Sequence, residues 1–274
     1  MTFPQIAAFA RLANGSVAPT RTVGGQASLL SRAQHDMYYD EVHDEFTIAN
    51  PLAQAILTYR GGANGKEAPI RVIQGPRTQI ASPDFGVQVD PVNNEIYVVE
   101  HDYILVFPRT AIGDVAPIRV LRGPHTQLEN SYGDLAARNV AVDPINDLLF
   151  VGGTYHNSGR ILIFNRADAG NVKPRGMLMG PKTGLGETPR PEVYKALLLA
   201  SVRGGIGVWS VHDEGDVPPR LILGATRDPG DTTWSGGIGS FALNPKAKEI
   251  IGYVGSSASE DRAAIRTFSF PEIF

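Results

Sequence analysis

The chain has 274 residues, 42% hydrophobic and 19% charged, which fits a single domain spanning 1–274 that buries its own core. Its formal net charge of -3 comes with no block of like charges, which argues against a nucleic-acid or membrane-surface partner. The absence of cysteine removes disulfides, thiolate metal sites and cysteine nucleophiles together.

From the N-terminus, MTFPQIAAFAR has no basic start followed by an apolar run, so the chain is expected to be soluble, with no signal peptide. Asn14-Gly15-Ser16 is a sequon, but it reads first as a turn. A repeat then governs the sequence. APIRVIQGPRTQI at 68–80 returns as APIRVLRGPHTQL at 116–128, with looser copies at 18–25, 172–185 and 217–224. Arg21, Arg71, Arg119, Arg175 and Arg220 mark the copies at intervals of 50, 48, 56 and 45 residues. Such a period is the mark of a propeller or solenoid.

Four short runs fill each period. GVQVD (86–90), EIYVV (95–99), ILVF (104–107) and IRVL (118–121) are followed in the same order by NVAVD, DLLFVGG, RILIF and MLM. Each run ends at Gly, Pro, Asn or Asp, as strands do, and four antiparallel strands per unit make a propeller blade. With strands lettered A to D, the A-to-B turns at Asp90-Pro91, Asp143-Pro144 and Asn244-Pro245 read as turn chemistry rather than catalysis. Residues 191–202, the best helical candidate, occupy the place of an A and B pair. The predicted fold is therefore all-β, a propeller of four-stranded antiparallel blades. A strands near 35–40, 85–90, 139–143, 192–196 and 238–243 predict five blades, whereas six C-type strands give six as the alternative count. Residues 20–24 are expected to close the last blade beside the C-terminal strands.

The set NG-x-VAP at 14–19, G-P-x-T-x-L/I, V-x-V-D-P, I-Y-V-V and I-L-V-F resembles NHL-type repeats and the six-bladed propeller superfamily that holds gluconolactonase-like enzymes. The resemblance covers nearly the whole chain. It implies a propeller acting at its channel mouth as a lactonase, a lyase or a binding module, with Glu, Asp and Asn for calcium or several His for zinc. No ligand set carries over, because His35, Phe85, Asn139, Tyr194 and Ile238 open the A strands with no repeated ligand.

Propeller topology puts the D-to-A and B-to-C loops at one end, where function is expected. His35, His101 and His156 form the candidate metal set, for zinc or calcium, since three neutral imidazoles with an open position suit a divalent ion. The alternative is three solvated loop histidines in separate blades. Glu100 is the candidate general base, Tyr155 the acid and Arg138 the oxyanion clamp. Asn139, Tyr132, Arg203, Trp234 and His125 complete the expected substrate contacts. The chain has no G-x-S-x-G, H-E-x-x-H or Walker string, so no nucleotide cofactor is expected. These residues predict a hydrolase or lyase acting on a small-molecule ligand. The alternative is a non-catalytic ligand-binding or protein-interaction propeller using the same face.

Overall fold

Runs of β-branched and aromatic residues bounded by turn formers fold as strands throughout a computed structural model that describes residues 4–34, 36–83, 86–129, 137–224, 238–254 and 264–274. A hairpin of β1 (Gln5–Ala8) and β2 (Arg21–Gly24) comes first. Sheet 1 holds β3 (Asp36–Asp40), β4 (Glu45–Asn50), β5 (Ala55–Arg60) and β6 (Arg71–Gln74). Sheet 2 holds β7 (Val87–Asp90), β8 (Glu95–Val99), β9 (Tyr103–Pro108) and β10 (Arg119–Arg122). Sheet 3 holds β11 (Asn139–Asp143), β12 (Leu148–Tyr155), β13 (Ser158–Asn165) and β14 (Gly176–Met179). Sheet 4 holds β15 (Pro191–Tyr194), β16 (Leu197–Val202), β17 (Gly205–Ser210) and β18 (Leu221–Leu223). Sheet 5 holds β19 (Ile238–Asn244), β20 (Glu249–Val254) and β21 (Ala264–Ser269).

Every sheet is an antiparallel meander, and the five that begin with an A strand give the fold class of a five-blade propeller, as the A strands predict. Residues 191–202 are indeed an A and B pair. The sixth C-type strand is β1, whose partner is β2. Helical structure among the described residues is limited to one-turn 3-10 segments such as Pro76–Thr78 and Pro124–Thr126.

The chain divides into two compact units, residues 1–130 with 167–173 and residues 131–166 with 174–274. In the first unit, Val23, Phe46, Ile48, Leu57 and Tyr59 join the hairpin to sheet 1. Ile56, Ile73, Val89, Ile96 and Phe107 join sheets 1 and 2. In the second unit, Phe150, Ile161, Leu198 and Trp209 join sheets 3 and 4, and Leu199, Ile206, Phe241 and Ile250 join sheets 4 and 5. A sheet covered on both faces needs apolar residues at consecutive positions, which is why β7 and β8 are buried along their whole length.

The A-to-B turns are held by their acids. Asp40, Asp90 and Asp143 each accept two backbone N–H groups through Oδ1, at 2.9 to 3.2 Å. These carboxylates are structural, as the turn chemistry predicts.

The repeated GPxT turn and the glycine four residues before each repeated proline turn out to belong to one device. In the C-to-D hairpin of sheet 2, Gly113 donates its N–H to Val72 O at 2.7 Å and accepts from Gln74 N at 3.2 Å, latching onto strand D of sheet 1. The next residue, Asp114, accepts the Arg77 N–H through Oδ1 at 2.7 Å and so caps the 3-10 turn that follows that strand. Gly170 and Asn171 do the same for β10 and His125, and Gly215 and Asp216 for β14 and Lys182. Gly65 latches β2, but Lys66 follows it, and a lysine cannot accept the corresponding N–H. What the repeat conserves at Arg77 and His125 is therefore a backbone donor, and both side chains stay exposed.

Tyr59 ties the first cluster to the D-to-A loop. It is fully buried, stacks on Phe46 with ring centroids 5.0 Å apart, and donates its hydroxyl proton to Ser28 O. Burial pushes the phenol far above its ordinary value. The folded chain thus keeps Tyr59 protonated where the unfolded chain ionises, near pH 10. Its contribution is fully present below about pH 10 and is lost as pH rises beyond it. Tyr59→Phe is expected to flatten the loss of stability between roughly pH 10 and 12, measured by urea denaturation at stepped pH, at a cost of about 1 kcal/mol at neutral pH.

Candidate functional site

Glu100 follows β8 and is buried, 1% exposed. Its carboxylate accepts the Ala81 N–H at 3.2 Å and the Ser82 N–H at 2.8 Å, tying down the loop that leads into β7. Asn50 holds the equivalent end of β4 and likewise accepts the Ser31 N–H, at 3.2 Å. The residue expected as a general base is a loop anchor.

His101 is exposed beside it, in the first unit, as is His125 on its capped turn. His156 is exposed in the second unit. His35, Tyr132 and Trp234 lie outside the described residues. Among the described residues no group of three or more His, Asp or Glu is arranged to hold a metal ion. Arg138 and Asn139 sit half-buried at the start of β11, where Arg138 N donates to Gly152 O at 2.9 Å.

The second unit does bring some expected residues close in the fold. β12 and β13 run eight residues each, longer than β4 and β5 at six each, and turn on two residues, His156 and Asn157. Both have positive φ, 48° and 60°, as in the type I′ turn that fits the twist of a tight hairpin. Tyr155, His156, Asn157 and Ser158 are all exposed at the tip. The Tyr155 ring meets His156 edge-on with centroids 4.2 Å apart, and the buried Arg160 places its guanidinium 4.9 Å from the same ring. Thr154 Oγ1 donates to Glu187 O at 2.7 Å, strapping the hairpin to the following loop. Beside the tip lies a cavity of about 560 Å³ lined by Asn157, Ser158, Gly186, Glu187 and Arg203. The sequence does not flag Arg160, which reads as one residue of an apolar strand; its position opposite Gly153 follows only from the hairpin register.

No family model and no curated protein sequence matches the chain. Among solved structures it is similar to the Pan2 WD40 domain of Neurospora crassa, with a TM-score of 0.52 at 10% identity over 88% of this chain. It is also similar to Saccharomyces cerevisiae Sqt1, with a TM-score of 0.50 at 11% identity over 96%. The chain has a WD40-like propeller fold. It spans 63% and 65% of those two structures respectively.

The WD40-like fold corrects two expectations. The expected hydrolase or lyase with a small-molecule ligand as partner is overturned in favour of the alternative reading by fold neighbours of the WD40 type. The physical counterpart is Glu100, the expected base, buried with its carboxylate bonded to two backbone N–H groups. The motifs that resembled NHL repeats specify propeller blades, and the two fold neighbours named above are WD40-like. No helix among the described residues is long and apolar enough to cross a membrane.

Proposed function

We propose that this chain is a non-catalytic protein-binding module that takes its partner at the tip of the β12–β13 hairpin, with Tyr155 as the anchor. The observation that carries this reading is the tip itself. It is an elongated hairpin with a tight turn, presenting a 39% exposed tyrosine held between a histidine edge and a buried arginine. A ring fixed in this way loses little entropy on contact, and Tyr and Arg are the residue types that concentrate binding energy at protein interfaces. Arg203 supplies a cation to the cavity that Asn157 and Ser158 of the tip also line. The fold likeness to WD40-type propellers supports a protein partner.

Affinity capture from a lysate with quantitative mass spectrometry tests the proposal. Tyr155→Ala is expected to lower recovery of the bound protein about thirtyfold, the scale of a 2 kcal/mol hot spot. Ile145→Ser, at a 77% exposed position of an A-to-B turn, is expected to leave recovery unchanged. Equal recovery with both variants would remove the hairpin tip from the interface.

A further inference from the structure

The chain contains two Asn-Gly pairs, and the repeat sets them at equivalent places. Asn14-Gly15 and Asn64-Gly65 each follow an alanine and each stand five and four residues before the repeated proline. Both pairs are exposed, both glycines have positive φ, 70° and 66°, and a Cβ added at either would meet nothing within 4 Å. Sequence context and access to water are therefore closely matched.

Hydrogen bonding separates them. Gly65 N donates to Thr22 O at 2.6 Å, Asn64 Oδ1 accepts the Thr22 N–H at 3.2 Å, and Asn64 N donates to Glu67 Oε2 at 3.2 Å. These bonds belong to the latch on β2. They hold in place both the glycine nitrogen and the asparagine side chain. In the connection between β1 and β2, no hydrogen bond among the described residues holds the Asn14 side chain or the Gly15 N–H; Gly15 is an acceptor, from Val17 N at 3.0 Å. The base of this hairpin is closed, because Ala8 O accepts from both Thr20 N at 2.8 Å and Thr20 Oγ1 at 3.0 Å. Asn14 and Gly15 can thus rotate without parting β1 from β2.

We infer that Asn14 is a self-modification site, where asparagine converts through a succinimide to isoaspartate and aspartate, and that the latch protects Asn64 from the same reaction. Hydroxide takes the Gly15 amide proton and the nitrogen attacks Asn14 Cγ. A bond from that nitrogen to Cγ forms, the bond from Cγ to Nδ2 breaks, and Nδ2 leaves with a proton as ammonia. Water then opens the ring. Addition at the Asn14 main-chain carbonyl leaves the chain running through Cβ, as isoaspartate, and addition at Cγ gives aspartate. The balance is one water in and one ammonia out, with no change of oxidation state. Glycine permits the attack because no Cβ shields its nitrogen. At Asn64 the attack must wait for the latch to open, so its rate falls with the fraction of time spent open. The isoaspartyl product carries a free α-carboxylate, the group that a carboxyl methyl transfer would consume. This inference does not rest on the proposed function, since the β12–β13 tip takes no part in it.

The test incubates the full chain in mildly alkaline buffer made with heavy-oxygen water, then digests it in ordinary water after Lys and Arg. This releases residues 12–21 and 61–66, one pair in each peptide. Mass spectrometry is expected to show label entering 12–21 at least about tenfold faster than 61–66, a ratio that modest opening of the latch accounts for. The labelled 12–21 should accept methyl groups from S-adenosylmethionine when an isoaspartyl methyltransferase is added. In a urea-unfolded chain the two peptides should take up label at equal rates, and this arm needs no variant to fold. The inference is overturned if 12–21 takes up no label, or if the two rates are equal in the folded chain. A tenfold difference that persists in urea overturns it too, because local sequence and not the latch then sets the rate. A glycan found on Asn14, whose residues also form the sequon, overturns it by occupying the leaving nitrogen.

Discussion

Gly75→Ala is expected to lower the unfolding free energy by about 3 kcal/mol, enough to drop the thermal midpoint by roughly 8 °C in a chain of this size. Two costs combine. Gly75 has φ 134° and ψ 168°, a backbone region essentially closed to residues with a Cβ. An added Cβ would also stand 2.5 Å from Asp114 Cγ, so the side chain that caps the Arg77 N–H would have to move. Asp114→Ala alone loses only the cap, about 1 kcal/mol. Asp114→Ala takes Cγ and Oδ1 out of the conflict but leaves its Cβ 2.6 Å from the added one, and the cap is lost only once, so Gly75→Ala with Asp114→Ala is expected to cost less than the two single changes added together. Chemical denaturation of all three variants measures this; strict additivity would mean that the latch and the turn act independently.

Glu45→Ala is expected to cost about 3 to 5 kcal/mol, the range found when one partner of a buried ion pair is removed. Glu45 is the shared acceptor of two guanidiniums. Arg71 of sheet 1 bonds both carboxylate oxygens, and Arg109 of sheet 2 donates Nη1 to Oε2 at 2.8 Å. All three side chains are 12 to 14% exposed, so removing the anion strands two cations away from water. Glu67→Ala is the contrast. Its partner Arg60 is 57% exposed, and the loss is expected to be small beside that of Glu45→Ala. Urea midpoints of the two variants side by side give the answer. A Glu45→Ala chain as stable as Glu67→Ala would show that the Glu45 network holds nothing together.

The blades were legible in the sequence because they are local. Val89-Asp90-Pro91 writes a strand and its turn in adjacent residues, and the A strands fall where this pattern places them. The latch was not legible, because its partners lie far apart in the chain: Asp114 caps a donor 37 residues earlier and Asn171 one 46 residues earlier. Gly65, Gly113, Gly170 and Gly215 stand at equivalent places in the repeat, but nothing near them in sequence shows which strand they bond. What Glu100 holds was hidden for a related reason. A carboxylate beside His101 at a loop looks catalytic, and only the returning segment at Ala81 and Ser82 shows what it holds. Tyr155 and His156 were found as loop residues, but their pairing with Arg160 depends on a two-residue turn with positive φ at a histidine, which composition does not announce. His35, Tyr132 and Trp234 lie outside the described residues.

The latches also impose an order in time. Each cap belongs to residues synthesised after the strand it secures, 37, 46 and 34 positions later for the Arg77, His125 and Lys182 donors. At ribosomal rates of about 5 to 20 residues per second, a finished sheet waits roughly 2 to 9 seconds for its fastening. A nascent chain of this kind always carries one unsecured blade at its growing end, and each new blade locks the one before it.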